Sequence, residues 1–389
     1  MRFAFVSGKY VFGVLCLVAT VLCGTWAQGE DPLRNGRAVT MQDSSEMTLH
    51  LGGCGGLFLL AEPGELTVDL FKRDRNKRGP CVLRATFFAP DRSVLDEVWI
   101  PDDGQKKGAF GPVQTVRLST MVKHPGVFGV MITSVDDRYG SEVRWSFRTN
   151  CARYLVETSR GHRDARHLEP LVFSNAEVPV DVCFRPCAGA CVMDLSELPT
   201  DVAEVNVYDA RGEILQRLSV REGRASATFG ADTPRDALPW RLHLPKAYAS
   251  VEIDGTTRWK GRHPDFANFS LWTPNPDSWF DYHENRHLLT PYRQTACGEP
   301  GEAGTLKFSV RNHARELKTV ALKLEFDEGV NPWMTLSSQS VTVQPRSTTI
   351  VSVDYVMPGT REVPVCRLRA TSGTFSTYSS IVLKADGSL

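Results

Sequence analysis

Hydrophobicity along this chain alternates with period two. Leu66, Val68 and Leu70 alternate with Thr67 and Asp69, and Val143, Trp145 and Phe147 with Arg144 and Ser146. Val320, Leu322, Leu324 and Phe326 alternate with Ala321, Lys323 and Glu325. A period of two sends every second side chain to the same face, the pattern of a strand buried on one side. Helical periodicity is nearly absent, which excludes a sheet wound with long helices. Short apolar segments recur roughly every ten residues with turn residues between them, a spacing that predicts sandwiches.

Three blocks of strands emerge. The first covers 45–156, with strands expected at 57–60, 66–71, 82–88, 94–100, 115–118, 127–132 and 143–147. Asp91-Arg92 and Pro101-Asp102-Asp103-Gly104 supply turns. Residues 157–168 are polar and charged and read as a linker. The second block covers 169–259. Val178, Val180 and Val182 alternate there, as do Val205 and Val207, and Asp209-Ala210-Arg211-Gly212 is a hairpin turn into 214–220. Val251 and Ile253 enter Asp254-Gly255, a two-residue hairpin signal. A connector, 260–300, precedes the third block, 301–385, whose strands are expected at 306–310, 320–326, 341–343, 349–356, 366–370 and 378–383.

The N-terminus constrains where the chain works. Arg2 and Lys9 give a positive start, 11–21 is an apolar run, and Thr25-Trp26-Ala27 places small residues where a signal peptidase reads. This is the layout of a secretory signal over 1–27. Its apolar core is short for a bilayer span. Leu15 and Leu22 precede Cys16 and Cys23 where a lipoprotein signal would carry a small residue. The mature chain is therefore expected to start near Gln28 and to be secreted, periplasmic or in the cell envelope. No second apolar run approaches spanning length, so no membrane span is expected after signal removal. The 45 basic and 45 acidic residues balance, which argues against a nucleic-acid partner.

Ten cysteines occur, and two of them, Cys16 and Cys23, lie in the signal. An even remainder in an exported chain favours disulfides over metal. Cys183, Cys187 and Cys191 are spaced by three residues rather than the two common in zinc and iron–sulfur motifs, with Pro186 and Gly189 between them. A hairpin stapled by one bridge is expected, with Cys151 the nearest partner for the third thiol. Cys297 precedes the first strand of the third block and Cys366 opens a late one, so a Cys297–Cys366 bridge is expected there. Pairing of Cys297 with the second block is the alternative.

Trp259, Phe266, Phe269, Trp272, Trp279, Phe280, Tyr282 and Tyr292 crowd the connector and its approach. Such rings can wedge between two sandwiches, or they can stack on sugars, with Trp272, Trp279 and Tyr282 as the platform. His283-Glu284-Asn285-Arg286-His287 also matches H-E-x-x-H, in which His283 and His287 would bind zinc and Glu284 would activate water. Arg286 puts a fixed positive charge near that site, no clear third ligand follows, and no long helix surrounds it. The expectation is therefore no metal and no cofactor, with an exported zinc-dependent hydrolase as the alternative. Nucleophile-elbow, phosphate-loop and EF-hand patterns are lacking. Asn268-Phe269-Ser270 is a glycosylation sequon.

The third block carries Ser309-Val310-Arg311-Asn312, Ser340-Val341-Thr342-Val343-Gln344-Pro345, the Thr349–Tyr355 run and Pro358. On these it resembles the NEW3 and CARDB immunoglobulin-like modules of bacterial secreted proteins. The first block carries Gly64-Glu65-Leu66-Thr67-Val68, Ala89-Pro90-Asp91 and His124-Pro125-Gly126-Val127-Phe128. On these it is similar to bacterial pre-peptidase C-terminal jelly-roll domains. The resemblances imply accessory or binding roles on exported proteins rather than catalysis. The fold class read from the sequence is all-β: tandem β-sandwiches, two jelly-roll-like and one immunoglobulin-like, with an aromatic-rich connector. The function read from it is non-catalytic binding or scaffolding, with polysaccharide or cell-surface glycan as the partner.

Overall fold

The computed structural model describes residues 40–42, 47–75, 81–104, 110–134, 142–158, 168–233, 239–258, 270–282, 286–291, 293–326, 333–359 and 365–385. The expected secretory signal at 1–27, Trp259, Phe266, Asn268, Phe269, His283, Glu284 and Tyr292 lie outside them.

The described residues are all-β, apart from one 3-10 turn at Pro276–Ser278. The alternation read from the sequence becomes strands almost position for position. Residues 94–100 form Val94–Ile100 as expected, and the 66–71 and 378–383 segments extend to Gly64–Asp74 and Phe375–Ala385. Asp209 to Gly212 makes the expected turn, with the Gly212 amide donating to the Asp209 carbonyl at 3.1 Å. Gly212 has φ +84, where a side chain would be strained. The strands on either side, Glu204–Tyr208 and Ile214–Ser219, pair antiparallel.

Strands of the first and second blocks lie in the same two sheets. One sheet has nine strands in the order Thr40–Gln42, Val113–Val122, Gly64–Asp74, Val143–Thr149, Leu49–Gly52, Leu171–Asn175, Ala247–Ile253, Cys191–Ser196 and Ala225–Phe229. The other has ten, in the order Ile214–Ser219, Glu204–Tyr208, Trp240–Leu244, Val180–Phe184, Leu271–Thr273, Tyr154–Glu157, Gly55–Ala61, Gly126–Ser134, Leu83–Phe88 and Val94–Ile100. Their inner faces share one apolar core, which includes Leu57, Val68, Trp145, Phe184, Trp240 and Trp272.

Two short strands stitch the blocks together. Leu49–Gly52 pairs with the first block through Leu51 and Gly52, and with the second through Leu49 and His50. Leu271–Thr273, from the connector, lies between Tyr154–Glu157 and Val180–Phe184. Its central Trp272 is fully buried and meets Phe173 edge to face at 6.3 Å. Sequence alternation cannot reveal strands this short, since three residues carry no period.

Asp254-Gly255 does turn the chain, but not into a hairpin. The amides of Thr256, Thr257 and Arg258 all donate to the Ile253 carbonyl, and the next described strand belongs to the other sheet. Arg258 holds the turn closed with ion pairs to Asp254, Glu252 and Asp194.

The third block belongs to the same compact unit, Leu33–Leu389. Its four-stranded sheet runs His287–Thr290, Ala303–Asn312, Thr348–Val356, Met334–Leu336. Its five-stranded sheet runs Arg293–Gly298, Phe375–Ala385, Val365–Ser372, Lys318–Phe326, Ser340–Val343. Phe308, Val353, Leu368 and Ile381 are among the side chains that fill the core between them. Buried Asn312 pins the adjoining loops. Its amide donates to the carbonyls of Glu316, Val343 and Gln344, and its Oδ1 accepts from the Ala314 amide.

Trp272 fills space where both stitched halves meet, so Trp272→Ala should cost about 3–5 kcal/mol, the usual result of truncating a buried large ring. Denaturant unfolding followed by fluorescence checks this. A loss below about 1 kcal/mol would mean that the ring is not packed as described.

Candidate functional site

The connector is where the sequence concentrates candidate chemistry. The structure uses it to fasten the third block to the outer face of the ten-stranded sheet. Phe58 and Phe88 project from that face into a small apolar cluster with Leu155, Phe280 and Leu288. Tyr282 lies on Phe58 at 4.2 Å between centroids, and its hydroxyl accepts from Arg92 at 2.8 Å. The Trp279 carbonyl accepts from Arg153, while Arg185 stands 5.9 Å from the Trp279 ring and pairs with Asp281. Of the two expectations for these rings, the described ones follow the wedge: Trp272, Trp279 and Tyr282 do not make a stacking platform. Trp272 has no exposed surface, and the other two rings are half-buried against the chain itself.

Two arginines form the heart of this seam. Arg286 is buried with its guanidinium 4.0 Å from the Phe88 ring centroid, 5.4 Å from Phe58 and 5.6 Å from Phe375. Arg84, on the first block, lies 3.5 Å over the Tyr378 ring of the third block. Its Nη1 donates to the Tyr378 carbonyl, and its Nε pairs with Glu97 at 3.2 Å. Trp99 stacks on the same tyrosine at 6.3 Å. Desolvated cation–π contacts of this kind are worth about 2 kcal/mol or more each.

His287 lies in this seam as well. It opens the strand His287–Thr290 rather than a helix, so helical i, i+4 spacing does not extend through it. Its Nε2 faces the Ala370 carbonyl at 3.1 Å and therefore carries a proton, and its ring packs edge-on against Phe375. The other two members of the H-E-x-x-H match, His283 and Glu284, fall outside the described residues.

The cysteines depart from expectation. No disulfide forms among the described residues. Cys297 faces solvent on its strand while Cys366 is fully buried in the third block's core, so the expected Cys297–Cys366 bridge is absent. Cys183 and Cys191 lie on strands of opposite sheets, so the segment between them arches across the sandwich edge and is not a hairpin. Burial pushes the Cys183 thiol up to about 12. Cys151 contacts the Leu60 and Arg153 carbonyls rather than a second-block thiol. Within the arch, the side chains of Cys187 and Cys191 hydrogen-bond to each other. That bond, with burial, raises the Cys191 thiol far above its ordinary range.

A polar cluster that the sequence reading passed over lies in the first block. Lys72 and Asp74 continue the inward face set by Leu66, Val68 and Leu70, and both are buried. The Lys72 ammonium pairs with Asp74 and donates to the Pro101 carbonyl at 2.8 Å and to Gln114 at 3.0 Å. Asp102 and Asp103 bring their carboxylates close to Asp74, but Lys72 already supplies the positive charge that an ion would bring. Burial lowers the Lys72 pKa and raises that of Asp74 to about 6.

An open cleft of about 360 Å³ lies on the outer face of the third block's four-stranded sheet, lined in part by Trp333, Thr335, Asp354 and Thr305. Trp333 carried no sequence signal, because it stands alone after a polar stretch.

No family model and no curated protein matches this chain. Among solved structures, the ASH/PapD-like domain 7 of human CEP192 aligns at 12% identity and TM-score 0.23, over 28% of this chain and 89% of that one. The C. elegans MSP family member WR4 aligns at 9% identity and TM-score 0.20, over 26% and 99%. A protein of unknown function from Porphyromonas gingivalis W83 aligns at 12% identity and TM-score 0.21, over 56% and 90%. Likenesses at these scores carry no weight on function.

Asp74 sets a pH dependence. Its folded pKa of about 6 lies above the unfolded value of 3.8, so the unfolded chain ionises first and stability falls as pH rises from about 4 to 6. This fall should amount to on the order of 2–3 kcal/mol. Asp74→Asn should flatten it, while lowering stability overall by stranding Lys72. Urea unfolding of both proteins at intervals between pH 4 and 6 checks this. Parallel curves would show that Asp74 ionises normally in the fold.

Proposed function

We propose that the protein is an exported, non-catalytic binding or scaffolding protein of the cell envelope or extracellular space, with polysaccharide or cell-surface glycan as its partner. The observation that carries this reading is the destination of the connector's side chains. Described aromatic and cationic groups of the connector are spent on fastening the third block to the first, through Tyr282 on Phe58, Arg286 on Phe88 and His287 on Phe375. Polar groups used this way suit a protein that presents surfaces in a fixed arrangement. The layout of residues 1–27 supports export. The resemblance of 301–385 to NEW3 and CARDB modules, and of 45–156 to pre-peptidase C-terminal domains, supports an accessory role. No helix among the described residues is long and apolar enough to cross a membrane.

The Cys187–Cys191 pair ties the reading to a compartment. In an oxidising one, thiol–disulfide exchange with an external disulfide would join the two sulfurs and release two thiols from that oxidant. Protein recovered from its native source should begin near Gln28 and yield a Cys187–Cys191 cross-linked peptide under non-reducing digestion. Recovery of a full-length chain with both thiols alkylated would overturn export. Stoichiometric zinc, lost on His283→Ala with His287→Ala, would overturn the non-catalytic reading in favour of the hydrolase.

A further inference from the structure

The outer face of the third block's four-stranded sheet carries two rows of side chains of different chemistry. Strand registry puts Thr305 opposite Asp354, and Asp354 opposite Thr335. These three exposed side chains form one row across three strands. Ala303 lies opposite Val356, and the Val356 amide donates to the Trp333 carbonyl at 2.9 Å. Ala303, Val356 and Trp333, which immediately precedes Met334–Leu336, thus form a second row two positions along on the same side of the sheet. All six residues line the cleft of about 360 Å³, a volume at the low end of small-molecule sites.

The two rows differ in chemistry. One is apolar and ends in an indole ring. The other offers a carboxylate between two hydroxyls. The Thr305 hydroxyl donates to Asp354 Oδ1 at 2.7 Å, which fixes the carboxylate on the sheet and leaves Oδ2 to accept from a ligand. Trp333 is half-buried and packs against the module's core, so its position costs no ordering when a ligand arrives. Among the described residues no lysine, arginine or histidine lines the cleft, which disfavours phosphates, sulfates and acidic sugars.

We propose that this cleft is a binding site for a neutral saccharide, whose apolar C–H face lies on the Trp333, Val356 and Ala303 row and whose hydroxyls meet Asp354, Thr305 and Thr335. A pyranose ring has this division: C–H groups gather on a face and hydroxyls project from its edge. Two parallel rows, one apolar and one polar, match it. The proposal rests on the glycan-partner reading above and places that partner on the third block instead of the connector.

The test is calorimetric titration of the mature full-length chain with neutral hexasaccharides of defined linkage: cellohexaose, xylohexaose, maltohexaose, laminarihexaose and chitohexaose. Choline chloride serves as a cationic control. At least one hexasaccharide is expected to bind. Trp333→Ala should weaken it by about tenfold or more, at some cost in stability because the ring also packs on the core, and Asp354→Asn by a smaller factor with unchanged unfolding temperature. Thr335→Arg guards against misfolding of the Trp333 variant: Thr335 is exposed, so a long side chain there should block the cleft without touching the core. Saccharide binding that survives all three substitutions would overturn the cleft as the site and leave the glycan-partner reading standing. Choline binding abolished by Asp354→Asn, with no saccharide binding, would make this a cation site and overturn the proposal. Absence of binding to every probe would overturn both.

Discussion

A guanidinium removed from water must recover its lost hydration from charge and from ring faces. Arg84 and Arg286 do so at the contact between the first and third blocks. Arg84 has Glu97 as counter-charge and Tyr378 and Trp99 as ring partners, while Arg286 stands among Phe58, Phe88 and Phe375. Each arginine is useful only when the other block is in place, because part of its environment belongs to that block. The contact is therefore specific as well as strong. A slipped or rotated third block would take Tyr378 from Arg84 and Phe375 from Arg286. The Thr374 hydroxyl, which donates to the Asp91 carbonyl at 2.8 Å, adds a direct polar tie at the same contact.

The two large sheets depend on a different device. Leu49–Gly52 and Leu271–Thr273 are only a few residues long, yet each hydrogen-bonds to strands from both blocks. In the second case the strand also delivers Trp272 into the shared core. The connector thus does two jobs at different points: Leu271–Thr273 closes one sheet, and Phe280, Tyr282, Arg286 and His287 cap its outer face for the third block.

Much of this was legible in the sequence, because period-two burial is a strong signal over six or more residues. The strands around Val68, Val98, Val320 and Val353 follow it directly. What escaped were features without a period. Leu271–Thr273 is too short to show alternation, and nothing local says that Trp272 is a core residue rather than a surface ring. The cysteines misled for a related reason. Equal spacing of Cys183, Cys187 and Cys191 suggests a hairpin, but whether a turn joins neighbours in one sheet or arches between two sheets is decided by tertiary pairing. Lys72 and Asp74 sit on an inward face, where hydrophobic patterning predicts apolar residues, so only the structure shows that they neutralise each other. The row that lines the cleft was hidden because Thr305, Thr335 and Asp354 come from three strands remote in sequence.

The short strand Leu271–Thr273 also sets the order in which the protein can fold. Until it is in place, Tyr154–Glu157 and Val180–Phe184 each present a bare backbone edge, and the ten-stranded sheet has a gap at its middle. A chain that emerges N-terminus first therefore cannot complete its first two blocks when those blocks have been made, and must wait for a segment well beyond them. Such non-local closure is intrinsically slow and leaves open edges exposed in the meantime. Under the export proposed above, late closure would be an advantage: the chain would stay unlocked during passage and become one body only after the connector had followed.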